Sequence, residues 1–144
     1  MSASRISLAS ILALPLLAVA LPASADGDVQ WHGGTVYDFG SVSESGGTVT
    51  HRFVFENTSA DTLSIICAKS RCGCTTATHT VRAIAPSDTG SVTVRFNPSG
   101  RDGDFKQRVI VRFTGETRYN YVFVKGHVEE SVQDKGVKLT GKRE

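Results

Sequence analysis

Side chains alternate in character through most of this chain, and that alternation limits what it can fold into more than any other feature. In "TVTHRFVFEN", residues 48–57, Val49, His51, Phe53 and Phe55 fall on one face, with Thr50, Arg52 and Val54 on the other. "TLSIICA" sets Leu63, Ile65 and Cys67 together, "SVTVRFNP" sets Val92, Val94 and Phe96 together, and "QRVIVRFTG" does the same with Val109, Val111 and Phe113. Successive side chains of a β-strand point to opposite faces, so a period of two in β-branched and aromatic residues predicts half-buried strands. The stretch "RYNYVFVKGHV" is apolar on both faces, which predicts a more deeply covered strand. "TVYDFGSV" is the expected first strand.

The segments between these runs are turn-forming. "SESGG" (43–47), "NTSAD" (57–61), "APSDTG" (85–90) and "NPSGRDGD" (97–104) collect Gly, Pro, Asn, Asp and Ser, which favour tight or left-handed backbone. No window carries a helical period. About seven short strands spaced roughly ten residues apart predict a two-sheet antiparallel sandwich, with an antiparallel barrel as the alternative. The polar tail after Val128, "EESVQDKGVKLTGKRE", is expected to fray, although Val137 and Leu139 could extend an edge.

The first 25 residues have the layout of a secretory signal peptide. Arg5 precedes an apolar run from about Ile11 to Leu21, and Ala23-Ser24-Ala25 sets cleavage before Asp26. Pro15 and Pro22 punctuate a stretch already short for a membrane span, so no span is expected in the mature chain. No cysteine stands near the cleavage point to carry a lipid. The mature protein is therefore expected in the periplasm or outside the cell. Its 16 − 1 = 15 basic residues against 14 acidic ones leave a net charge of +1, with the signs interspersed. That field is too weak to neutralise many phosphates, which argues against a nucleic-acid partner.

The order of motifs resembles a known family. "YDFGSV" precedes "HRFVFENTS"; an apolar strand then runs into "SRCGCTT", followed by "IAPSDTGSVTVRFNPSGRDGDF" and "VFVKGHV". This is similar to the bacterial exported family labelled domain of unknown function fifteen-seventy-three. The resemblance implies an immunoglobulin-like β-sandwich, related in fold to major sperm protein and hydin-type domains, and implies no established activity. It divides the chain into a signal peptide (1–25), a lead-in (26–34), the immunoglobulin-like domain (35–128) and a polar tail (129–144). Cys72, Gly73, Cys74 and Thr75 match the family's signature, whereas Cys67 departs from it.

Three cysteines, Cys67, Cys72 and Cys74, lie within eight residues, and the chain has no others. In an exported protein the leading expectation is a structural disulfide with one thiol left over. A Cys67–Cys72 or Cys67–Cys74 bond would contribute roughly 2–2.5 kcal/mol on a chain-entropy model. A Cys72–Cys74 bond is tight across one residue, although Gly73 tolerates unusual backbone angles. The alternative is a metal site, with Cys67, Cys72, Cys74 and His79 forming a Cys₃His set for Zn²⁺, or a bare thiolate pair for Cu(I). Its C-x₄-C-x-C-x₄-H spacing differs from that of ordinary structural zinc sites. A third reading treats Cys-Gly-Cys as a redox dithiol beside Lys69 and Arg71, without the usual C-x-x-C motif.

No convergent catalytic set can be assembled. His51 is expected half-buried on the core face, His32 precedes the first strand and His127 ends the last. Asp102 and Asp104 read as a solvated hairpin tip, and Asn57 in "NTS" as a glycan acceptor only in a host that glycosylates there. The expected function is that of an exported, non-enzymatic interaction or scaffolding module. It would need no cofactor and would meet a protein or peptide through an edge strand or its loops.

Overall fold

The computed structural model describes residues 28–130; the leader and most of the tail lie outside the described residues. Eight strands build it: β1 (Val29–His32), β2 (Val36–Ser43), β3 (Val49–Asn57), β4 (Ile65–Ser70), β5 (Thr75–His79), β6 (Thr89–Phe96), β7 (Gly103–Phe113) and β8 (Asn120–Glu129). They form two four-stranded sheets, ordered β1-β3-β6-β5 and β2-β8-β7-β4. Among the described residues there is no helix, and none therefore long and apolar enough to cross a membrane.

The alternation becomes a core as expected. Phe53 and Phe55 of β3 and Val92 and Val94 of β6 face Val109, Val111 and Phe113 of β7 and Val122 and Val124 of β8, all at most 2% exposed. The Phe55 and Phe113 rings meet edge-on at 5.0 Å, joining the two sheets. Each such side chain contributes about 1.5–3 kcal/mol by leaving water, so this inner layer dominates the stability of the fold.

Four features differ from the sequence reading. The lead-in carries β1, which pairs antiparallel with β3 and places Trp31 opposite Phe55, so "TVYDFGSV" is the second strand. That β2 runs parallel to β8, so the sandwich is not wholly antiparallel. The third difference lies in β4, where Ile65 opposes Phe113 but Cys67 opposes Arg112, with Ile66 as the extra residue of a bulge. A bulge reverses the side-chain alternation beyond it. Ala68 is therefore buried, whereas Cys67 shares the outer face with Arg112 instead of joining Leu63 and Ile65. Finally, β8 is central in its sheet yet covered on one face only. Tyr121 stays 38% exposed, and cations of β7 stand over its rings in place of another layer.

Candidate functional site

The two motif stretches richest in chemistry, "SRCGCTT" and "NPSGR", meet at one end of the sandwich. β4 stops at Ser70, whose Oγ accepts the Cys72 backbone N–H at 3.3 Å. The chain then turns so that Thr75 N–H donates to Cys72 O at 3.1 Å, and β5 begins. Asn97 N–H donates to Cys74 O at 2.8 Å, fastening this turn to the loop after β6.

Cys72 and Cys74 are joined by a disulfide, with S–S 2.04 Å and Cα atoms 5.2 Å apart. The expected staple from Cys67 does not form, because the β4 bulge turns Cys67 to the outer face, where it stands as the free cysteine. The Cys72–Cys74 bond closes a loop of three residues, for which the chain-entropy model gives only about 1.6 kcal/mol. Its sulfurs differ in setting. Cys74 is buried against Val42, Phe96 and Val128, whereas Cys72 lies at the margin of that cluster and is half-buried. The Phe96 and Phe105 rings stack at 3.9 Å inside the same small core.

Arg101 comes from the neighbouring loop. Ser99 N–H donates to Asn97 Oδ1 at 3.1 Å, Gly100 N–H to Glu44 Oε1 at 3.0 Å, and Arg101 N–H to Pro98 O at 3.1 Å. This turn, with Gly100 at φ +69°, brings Arg101 Nη2 to 3.7 Å from Cys72 Sγ. The Cys74 N–H donates to the same sulfur at 3.2 Å. Sequence reasoning looked to Lys69 and Arg71 for the local charge. Arg101 escaped it because its approach depends on a crossing between the sheets, and no spacing rule encodes that.

The Cys₃His set is not brought together: two of its thiols are bonded, and Cys67 faces outward. His79 Nδ1 lies 3.1 Å from the Thr80 carbonyl. Among the described residues no group of three or more His, Cys, Asp or Glu side chains is arranged to hold a metal ion.

A second surface is the outer face of the β2-β8-β7-β4 sheet. Lys106 stands 5.2 Å over the Phe123 ring, Arg108 5.2 Å over Tyr121, and Arg112 5.4 Å over Tyr119. Lys69 adds another cation beside Ile110. Two acids of this sheet are already paired, Asp38 with Lys125 at 3.1 Å and Asp104 with His127 at 2.6 Å. The Gly40 N–H, and then Lys125, hold the Asp38 carboxyl below the usual carboxylate range. Lys69, Lys106, Arg108 and Arg112 make no ion pair among the described residues. Asp104 belongs to β7 and not to a hairpin tip, and a groove of about 610 Å³ runs beside it past Gly40 and Gly126.

His51 is half-buried as expected, its ring stacked on Tyr37 at 3.5 Å and edge-on to Phe53 at 4.6 Å. His32 lies 3.6 Å from Glu56.

The family model described as "Protein of unknown function (DUF1573)" matches residues 30–128. No curated protein matches the chain significantly. Among solved structures, a protein of unknown function from Porphyromonas gingivalis W83 is similar at TM-score 0.59 and 18% identity, covering 75% of this chain and 50% of that one. The VesB protease of Vibrio cholerae is similar at TM-score 0.54 and 14% identity, covering 69% of this chain and 32% of that one. WR4, a C. elegans member of the MSP family, gives TM-score 0.47 at 8% identity, covering 71% of this chain and 98% of that one. The chain thus spans half the length of the first of these structures and about a third of the second. At such identities the likeness to the first two is one of fold.

Proposed function

The chain belongs to the family described as protein of unknown function (DUF1573), and from that premise we propose that it is an exported, non-enzymatic β-sandwich that acts by docking a protein partner. The observation that carries this reading is the outer face of the second sheet, where three cations sit over three aromatic rings. Tyr and Arg are the side chains most enriched where proteins bind tightly, because each couples a large apolar contact to a polar group. The uncompensated charge on this face selects an acidic partner surface.

Edge pairing fits the second sheet less well. β2 is bulged between Asp38 and Ser41 and β4 between Ile65 and Cys67, devices that blunt strand addition. Strand addition is left to β1 and β5, of four and five residues. Export is supported by the leader-like N-terminus and by a disulfide that needs an oxidising compartment. Within this reading the Cys-Gly-Cys turn is structural through its backbone, whose bonds from Thr75 and Asn97 hold the end loops beside the Val42–Phe96–Val128 cluster.

Two measurements test it. Fractionation of the native host, with intact mass, should place a chain beginning at Asp26 outside the cytosol; a full-length cytosolic chain would refute export. A photo-crosslinking residue at Tyr121 should capture a discrete partner that Arg108→Glu abolishes. The same probe at Arg95, exposed on the opposite sheet, should capture none. Equal capture from both faces would refute the docking face.

A further inference from the structure

Among the features that docking leaves unused, the Cys72–Cys74 bond is the one with chemistry of its own. A loop this short gains little from being stapled. The turn is also held independently by backbone bonds from Thr75 to Cys72 and from Asn97 to Cys74, at 3.1 and 2.8 Å. The bond could therefore open without releasing the loop. Two donors converge on one of its sulfurs: Arg101 Nη2 at 3.7 Å and the Cys74 N–H at 3.2 Å, both aimed at Cys72 Sγ. A sulfur in a disulfide is neutral and a weak acceptor, whereas a thiolate beside a guanidinium is strongly stabilised. Both donors thus favour the reduced state over the oxidised one.

We propose that Cys72–Cys74 is a thiol–disulfide exchange site that takes two electrons from a dithiol. One substrate thiol loses its proton to water, and the thiolate attacks Cys72 Sγ, the more accessible sulfur. The Sγ–Sγ bond breaks, its electron pair passes to Cys74 Sγ, and that thiolate takes a proton. Thr75 Oγ1 lies 3.5 Å away as a hydroxyl partner. The second substrate thiol, deprotonated in turn, attacks the sulfur bound to Cys72 and expels Cys72 Sγ as a thiolate held by Arg101 and the Cys74 N–H. The substrate leaves as a disulfide, and the protein holds two thiols. The exchange is stoichiometric, one bond for one dithiol, and does not depend on the docking face.

The test equilibrates the chain, with Cys67→Ser so that only the pair counts, in graded glutathione buffers. Thiols are then trapped by alkylation and counted by mass. The pair should become reduced in buffers that leave a purely structural disulfide oxidised, while the far-ultraviolet spectrum stays that of a β-protein. Arg101→Gln should need a [GSH]²/[GSSG] about threefold higher for half-reduction, the effect of one exposed ion pair, and Arg101→Lys should recover most of it. Persistent oxidation, reduction only with unfolding, or identical titrations of the wild type and Arg101→Gln would each overturn the proposal. A second pair of variants works whatever Arg101→Gln does. Cys74→Ser should capture glutathione on Cys72 several-fold faster than Cys72→Ser captures it on Cys74. Equal rates would also overturn the proposal.

Discussion

Asn57 is fully buried, and its amide is completely engaged. Its Nδ2 donates to the Asp61 and Ile84 carbonyls at 2.8 and 2.9 Å, and its Oδ1 accepts the Ser59 N–H and hydroxyl at 3.0 and 2.7 Å. That excludes the glycan-acceptor reading of "NTS" for the folded chain, since the nitrogen a sugar would need lies inside the protein. Asn57→Ala should cost about 2–3 kcal/mol, because the groups it leaves behind stay partly buried. The check is a lower urea midpoint with unchanged slope; a loss below about 0.5 kcal/mol would mean that water replaces the amide. His51 gives a second residue-scale prediction. Burial lowers its pKa from 6.5, so the folded chain binds the proton less readily than the unfolded one. Stability should therefore fall as pH drops below about 6.5 and stop falling once pH passes the lower folded value. His51→Gln should flatten the slope of thermal midpoint against pH in that window.

At the scale of strands, Gly126 shows how tightly β2 lies on β8. A Cβ there would stand 2.7 Å from the Gly40 carbonyl oxygen and 2.9 Å from the Phe105 ring. Gly126→Ala should cost about 1–3 kcal/mol, as overpacking does. Its signature is faster hydrogen exchange at β2 amides with β6 amides unchanged; uniform acceleration would contradict this local account. The same pairing marks the limit of what could be read in advance. The inner faces of β3, β6 and β7 were legible because alternation is local and the core obeys it. The parallel neighbour of β2 was not, since no residue in "TVYDFGSV" records which strand will lie beside it. Neither was the β4 bulge: "TLSIICA" alternates cleanly on paper, and only the pairing of Ile65 with Phe113 and Cys67 with Arg112 shows the slip. The cysteine cluster was legible as a cluster, but its connectivity hung on that slip.

For the whole molecule, four of the six strand pairings join strands that are not consecutive in the chain. β1 meets β3, β3 meets β6, and β2 meets β8 across more than eighty residues, as Val36 opposite Phe123 shows. Folding dominated by such contacts falls in the millisecond-to-second range. Stopped-flow refolding from urea should show it; a microsecond phase carrying the full amplitude would not fit this topology. A chain truncated after Gly115 loses β8, leaving β2 and β7 without their shared neighbour. It should show no cooperative thermal transition. This arrangement has a consequence for a polypeptide delivered amino-end first through a narrow channel. The strand that completes the second layer is the last to emerge, so the sandwich cannot lock while threading is under way. On the proposed export, the second layer would therefore close only after β8 has passed.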